Sequence, residues 1–158
     1  MVYIITGEIN EGKTQKMVSL YNQLNRGDGF VSKKIFNLDK DFAGYEIVRL
    51  STGERLPLAY KRGFVPADWD EIFRCGPFRF SEAAFAFAEN IIDDIIHRRI
   101  EPVFIDEIGP LELQGQGFSA ILTKTLNAQK DVYIAVRNRC VEDVKKKFKI
   151  ENPISLPL

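Results

Sequence analysis

Apolar positions along this chain switch repeatedly between short runs, strict alternation and a period near 3.6. Val2 to Thr6 is a short apolar run that ends at Gly7, the pattern of a buried parallel strand. From Lys13 the period changes: Met17, Leu20, Tyr21 and Leu24 recur at helical spacing, and Gly27 and Gly29 read as the stop. Phe30 to Ile35 reads as a second strand. Tyr45, Ile47, Val48 and Leu50, a turn at Ser51–Glu54, then Leu56 and Leu58 predict an antiparallel β-hairpin inserted in the sheet's first crossover. Phe78 and Phe80 suggest a further short strand. Ser81 then caps a long helix that has Glu82 in its first turn. Phe85, Ala88, Ile92, Ile95 and Ile96 lie on one face of it, and His97, Arg98 and Arg99 complement the dipole in its last turn. Val103–Ile105 is a fully apolar strand ending at Asp106-Glu107. Helices are expected over Phe118–Asn127 and Val141–Phe148, with a strand at Val132–Val136 between them. The stretch holding Pro153 and Pro157 reads as a tail. Strands alternating with helices predict an α/β fold with a mainly parallel sheet.

Length and charge narrow the function classes. At 158 residues a single domain, 1–158, is expected, large enough to hold a core without disulfides or metal. Twenty-two basic residues balance twenty-two acidic ones, so global charge gives no reason to expect nucleic acid or an acidic membrane as partner. Cys75 and Cys140 read as separate reduced thiols, and no apolar run approaches the ~20 residues that cross a bilayer. The first residues lack a signal-peptide pattern, so the expected location is the cytoplasm. The sequence does not decide the oligomeric state, and a monomer is the default expectation.

Chemistry concentrates at two places. Gly7-Glu8-Ile9-Asn10-Glu11-Gly12-Lys13-Thr14 matches G-x-x-x-x-G-K-[ST] between a strand and a helix, the context that this phosphate loop (Walker A) needs. Its glycines let backbone N–H groups face phosphates, and the helix N-terminus adds positive potential. Lys13 would reach the β- and γ-phosphates, the Thr14 hydroxyl would ligate Mg²⁺, and Gln15 follows in the same loop. Glu8 and Glu11 are expected to face solvent, since inward carboxylates would repel a polyphosphate. The second place is Asp106-Glu107 at the end of an apolar strand, a Walker B arrangement. There an aspartate supports Mg²⁺ through water, and the adjacent glutamate can orient or deprotonate an attacking water. Glu112 is the next candidate base. His97 reads as a dipole partner, and the lysines at 145, 146, 147 and 149 read as a solvated face.

These residues resemble a family: the thermophile-type P-loop nucleoside-triphosphatases, whose animal relatives are called cancer-related NTPases. The likeness runs through the phosphate loop, Gly29-Phe30, Gly44 to Leu50 with Gly53, and Gly76-Pro77-Phe78. It is most specific at Asp106-Glu107-Ile108-Gly109-Pro110-Leu111-Glu112-Leu113, the family's D-E-I-G-x-x-E-L string. Ile9, Asn10 and Gln15 stand where the family loop has proline, glycine and a second threonine. The resemblance implies a three-layer fold on a RecA-like core and slow, Mg²⁺-dependent hydrolysis of several nucleoside triphosphates, ATP and GTP among them.

Three functions then compete. In the leading one Lys13 and Mg²⁺ neutralise the phosphates while Glu107 orients water. A kinase passing the phosphoryl group to a small acceptor would need an acceptor pocket and a mobile lid, for which Arg55, Arg62, Arg74 and Arg79 are the available arginines. A nucleotide-dependent switch or RNA-associated module is the third. Charge compensation at the γ-phosphate would come from Arg137 or Arg139 just past a strand end, with Arg139 preferred because it leads into a helix.

Overall fold

Residues 1–9 and 12–158 are described by the computed structural model, which leaves the expectations for Asn10 and Glu11 outside the described residues. In chain order the elements are β1 (Val2–Gly7), α1 (Lys13–Leu24), β2 (Asp28–Phe36), β3 (Phe42–Arg49), β4 (Arg55–Lys61), β5 (Glu71–Cys75) and β6 (Phe78–Ser81). There follow α2 (Glu82–His97), β7 (Val103–Ile108), α3 (Pro110–Leu113), α4 (Ser119–Asn127), β8 (Val132–Arg137), α5 (Val141–Lys147) and β9 (Ile154–Pro157). All nine strands join one mixed sheet in the order β5-β6-β4-β3-β2-β7-β8-β1-β9. The half from β2 to β9 is parallel, and the half from β2 to β5 is antiparallel.

Alternation along the strands sorts the core into two layers. Ile4, Phe30, Ile47, Ile105 and Ile134 point to one face, where Ala88, Ile92 and Ile95 of α2, Leu122 of α4 and Val144 of α5 cover them. Ile5, Val31, Val48, Phe104 and Ala135 point to the other, under Met17 and the partly buried Leu20, Tyr21 and Leu24 of α1. Each fully buried aliphatic side chain contributes about 1.5–3 kcal/mol relative to exposure, so both layers lock the register of the central strands. Ser81 caps α2 as its position suggests, its hydroxyl accepting from the Ala84 N–H at 3.2 Å.

Four expectations about elements change. Helix α1 stops at Asn25, left-handed at φ 50° with its N–H on the Tyr21 carbonyl, and not at the glycines. Gly29 instead lies inside β2, where a Cβ would collide with the Phe104 backbone of β7. The antiparallel part extends beyond β3 and β4 through β6 to β5, a short edge strand whose residues are mostly exposed. The tail is a strand, β9, parallel to β1, and its Pro157 sits on the sheet edge, where a missing N–H is tolerated. No helix among the described residues is long and apolar enough to cross a membrane.

Candidate functional site

The sheet brings the two motifs together because β1 and β7 are both parallel neighbours of β8. The loop after β1 and the end of β7 therefore open on the same sheet edge, where α/β proteins hold ligands. Gly12 enters α1 at φ 101°, a conformation open to glycine and costly for other residues. Glu8 and Ile9 are exposed. Lys13 is only 4% exposed, and its ammonium donates to the carbonyls of Gly7 at 3.1 Å and Glu8 at 2.7 Å. The Thr14 hydroxyl donates to Asp106 Oδ2 at 2.6 Å, which ties the start of α1 to the end of β7.

Asp106 is fully buried. The Ser32 N–H donates to its Oδ2 at 3.1 Å, and the Ser32 hydroxyl donates to its backbone carbonyl at 3.0 Å. Its Oδ1 has no hydrogen-bond partner among the described residues. Burial pushes the carboxyl up to about 7, against the lowering influence of the Thr14 hydrogen bond. A buried, half-satisfied carboxylate beside a threonine hydroxyl fits a hard cation, which would restore its charge and occupy the vacant oxygen. Ser32 was not singled out in the sequence. A serine among the apolar residues of β2 was the available signal.

Glu107 is one-third exposed and faces the cleft, with Arg137 Nε donating to its Oε1 at 3.1 Å. Arg139, preferred from the sequence, is exposed and lies in the turn after β8, outside the cleft lining. β8 delivers Arg137 to the cleft instead, because its side chain belongs to the last residue of the strand and cannot swing away with the turn. Glu112 is not a free base either. Its two oxygens accept from the N–H groups of Gly109 and Phe118, both at 2.8 Å, so it joins the start of α3 to the start of α4. Burial raises its carboxyl to about 7. The arginines expected to form a lid are occupied: Arg55 pairs with Glu46, Arg74 and Arg79 pair with Glu71, and only Arg62 has no such pair among the described residues.

The cleft measures about 1350 Å³ and continues past Glu107 over the antiparallel strands. Gly12, Lys13, Thr14 and Gln15 line one end, and Lys34, Phe42, Lys61 and Phe78 line the other. Tyr45 stands between the ends. Its burial, and next the Glu107 charge, raise its hydroxyl above the usual tyrosine value.

A model of the NTPase family matches residues 2–156. Nucleoside-triphosphatase THEP1 of Natranaerobius thermophilus is 30% identical over 126 residues, covering 79% of this chain and 68% of that protein. Nucleoside-triphosphatase THEP1 of Thermotoga maritima is 27% identical over 160 residues, covering 98% of this chain and 83% of that protein. Two solved structures share the fold. The crystal structure of THEP1 from the hyperthermophile Aquifex aeolicus has a TM-score of 0.73 at 22% identity, with 100% and 90% of the two chains covered. The solution structure of a human cancer-related nucleoside triphosphatase has a TM-score of 0.66 at 21% identity, with 99% and 87% covered.

Proposed function

The chain belongs to the NTPase family, and from that premise we propose that it hydrolyses nucleoside triphosphates, ATP and GTP among them, to diphosphate and phosphate in a slow, Mg²⁺-dependent reaction in the cytoplasm. The observation that carries this reading is the 2.6 Å bond from Thr14 to Asp106, which sets the phosphate loop against the carboxylate pair of β7. The same reading takes the parallel strands as a RecA-like core and β3 with β4 as part of an insertion in its first crossover.

Lys13 holds the phosphates. Its ammonium rests on two backbone carbonyls in the free protein, and a triphosphate offers it stronger, charged acceptors a short side-chain movement away. The N–H groups at the start of α1 add donors and positive potential. Thr14 and Asp106 would hold the Mg²⁺, which supplies neutralisation of phosphate charge when bound. Glu107 accepts a hydrogen bond from the attacking water and takes its proton as the water oxygen bonds to the terminal phosphorus. The bond to the β-phosphate oxygen breaks, and the diphosphate departs. Arg137 fixes the Glu107 carboxylate on the cleft side and keeps its remaining N–H groups for charge on the terminal phosphate. Lys13, Thr14, Asp106, Glu107 and Arg137 are the residues that this reading places in the reaction.

The test is phosphate release from ATP, GTP, CTP and UTP, each with Mg²⁺ and with a chelator, with and without RNA. Release from several triphosphates that stops on chelation, and is indifferent to RNA, is the expected result. Release that needs RNA would replace the hydrolase with the RNA-associated module.

A further inference from the structure

The cleft is larger than one nucleotide needs, and its far arm differs in chemistry from its phosphate end. Single small-molecule sites measure about 300–1,000 Å³, against about 1350 Å³ here. In the far arm the Lys34 ammonium stands 5.5 Å from the centre of the Phe42 ring and the Lys61 ammonium 5.8 Å from it. Cation–π attraction holds both charges on the wall. Neither lysine has a carboxylate within ion-pair distance among the described residues. Phe42, Tyr45 and Phe78 pack as one aromatic cluster with centroids 5.2–6.0 Å apart. Phe36, beside them at the cleft mouth, leaves 58% of its surface in water. Two fixed cations beside partly exposed aromatic rings suit one kind of ligand: a planar ring that carries an anionic group.

Strand order decides which ligand this is. β1, with its phosphate loop, lies on one side of β7, and the arm lies on the other, over β2, β3, β4 and β6. A triphosphate gripped by Lys13 presents its terminal phosphate to Glu107 at the end of β7, so the arm begins where that phosphate ends. This much rests on the proposed nucleotide placement. We propose that the arm formed by Lys34, Phe42, Lys61 and Phe78 is a second ligand site, for a nucleoside monophosphate or similarly phosphorylated ring, occupied together with the triphosphate. The ring lies on the aromatic cluster, and the phosphate takes hydrogen bonds from the two ammonium groups.

Calorimetric titration of the whole chain, loaded with Mg²⁺ and a non-hydrolysable ATP analogue, tests this with AMP, CMP, adenosine and inorganic phosphate. At least one monophosphate should bind saturably, about tenfold or more tighter than adenosine or phosphate alone. The double variant Lys34→Ala/Lys61→Ala should weaken that binding at least tenfold, and Phe42→Leu should erase the advantage over inorganic phosphate. Affinity for the analogue and basal phosphate release should stay at wild-type values in both variants. Monophosphate binding that disappears once the analogue is loaded would place it on the phosphate loop and overturn the second site. Wild-type affinity in the double variant, or no saturable binding of either monophosphate, overturns it as well. If the analogue itself does not bind while the monophosphate still responds to Lys34 and Lys61, the second site stands and the hydrolase reading falls.

Discussion

Lys13 is the clearest case of a side chain whose surroundings fit the task proposed for it. A lysine only 4% exposed must satisfy its ammonium, and the carbonyls of Gly7 and Glu8 accept its hydrogen bonds. Lys13→Ala should therefore fold and lose tight triphosphate binding, and an unchanged dissociation constant in a nucleotide titration would remove the phosphate-loop assignment. Glu107→Gln keeps the shape but removes the base, so turnover should fall about 10²–10⁴-fold at nearly unchanged affinity. A single-turnover measurement beside a binding isotherm separates these. Asp106→Asn should differ, with a defect partly relieved by raising Mg²⁺. Arg137→Ala should slow hydrolysis by up to about 10³–10⁵-fold, the range for an arginine that compensates charge on the terminal phosphate. Arg139→Ala, out in the turn, should match wild type under the same assay.

At the scale of elements, two small contacts carry unusual weight. Gly29 lets β2 lie against Phe104, and Gly29→Ala should cost about 1–3 kcal/mol or more in a denaturant titration, since the obstacle is backbone that cannot turn aside. Gly117, at φ 59°, is the counterpart near the site, because a Cβ there would collide with the Glu112 carboxylate. The long apolar elements could be read from the chain: β1, β8 and the Val103–Ile105 part of β7 as apolar runs, α2 from its period and its Ser81 cap. The loop after β1 and the Asp106-Glu107 pair, which the sheet brings to one edge, stand out in the sequence for a related reason, since the chemistry proposed for them needs fixed residue types at fixed spacing. What escaped had weak signals of its own. β5 exposes most of its residues and is a strand because it pairs with β6 across a tight turn, while β9 ends in Pro157 and is a strand because it pairs with β1, far away in the sequence. Arg137 and Arg139 look alike as text, and only the register of β8 shows which one the strand carries to Glu107.

Across the whole molecule, buried carboxyls set how stability answers to pH. Glu112 has its carboxyl raised from 4.5 to about 7 by burial, so between those values the folded chain holds a proton that the unfolded chain has released. That contribution is complete below about pH 4.5 and is lost as pH rises towards 7. Asp106 moves in the same direction when no metal is bound. Asp70 runs the other way: the Ala83 N–H and the Ser81 hydroxyl hold its carboxyl low, outweighing the opposing influence of burial, so its contribution is lost in acid. Melting curves from pH 5 to pH 8 should show wild type falling relative to Glu112→Gln, whose side chain cannot titrate. Parallel slopes would mean that Glu112 stays charged when folded. The sheet order also has a consequence for synthesis. β1 is translated well before its partners on both sides, β8 and β9, which begin at Val132 and Ile154. Until residues 132–157 have emerged, the strand that leads to Lys13 lacks both of its partners in the sheet. A nascent chain stalled with residues up to about 130 exposed should gain no nucleotide-dependent protease protection, while one stalled with residues up to 158 exposed should gain it. The proposed capture of nucleotide is thus timed by the arrival of β8 and β9, the strands that complete the sheet around β1.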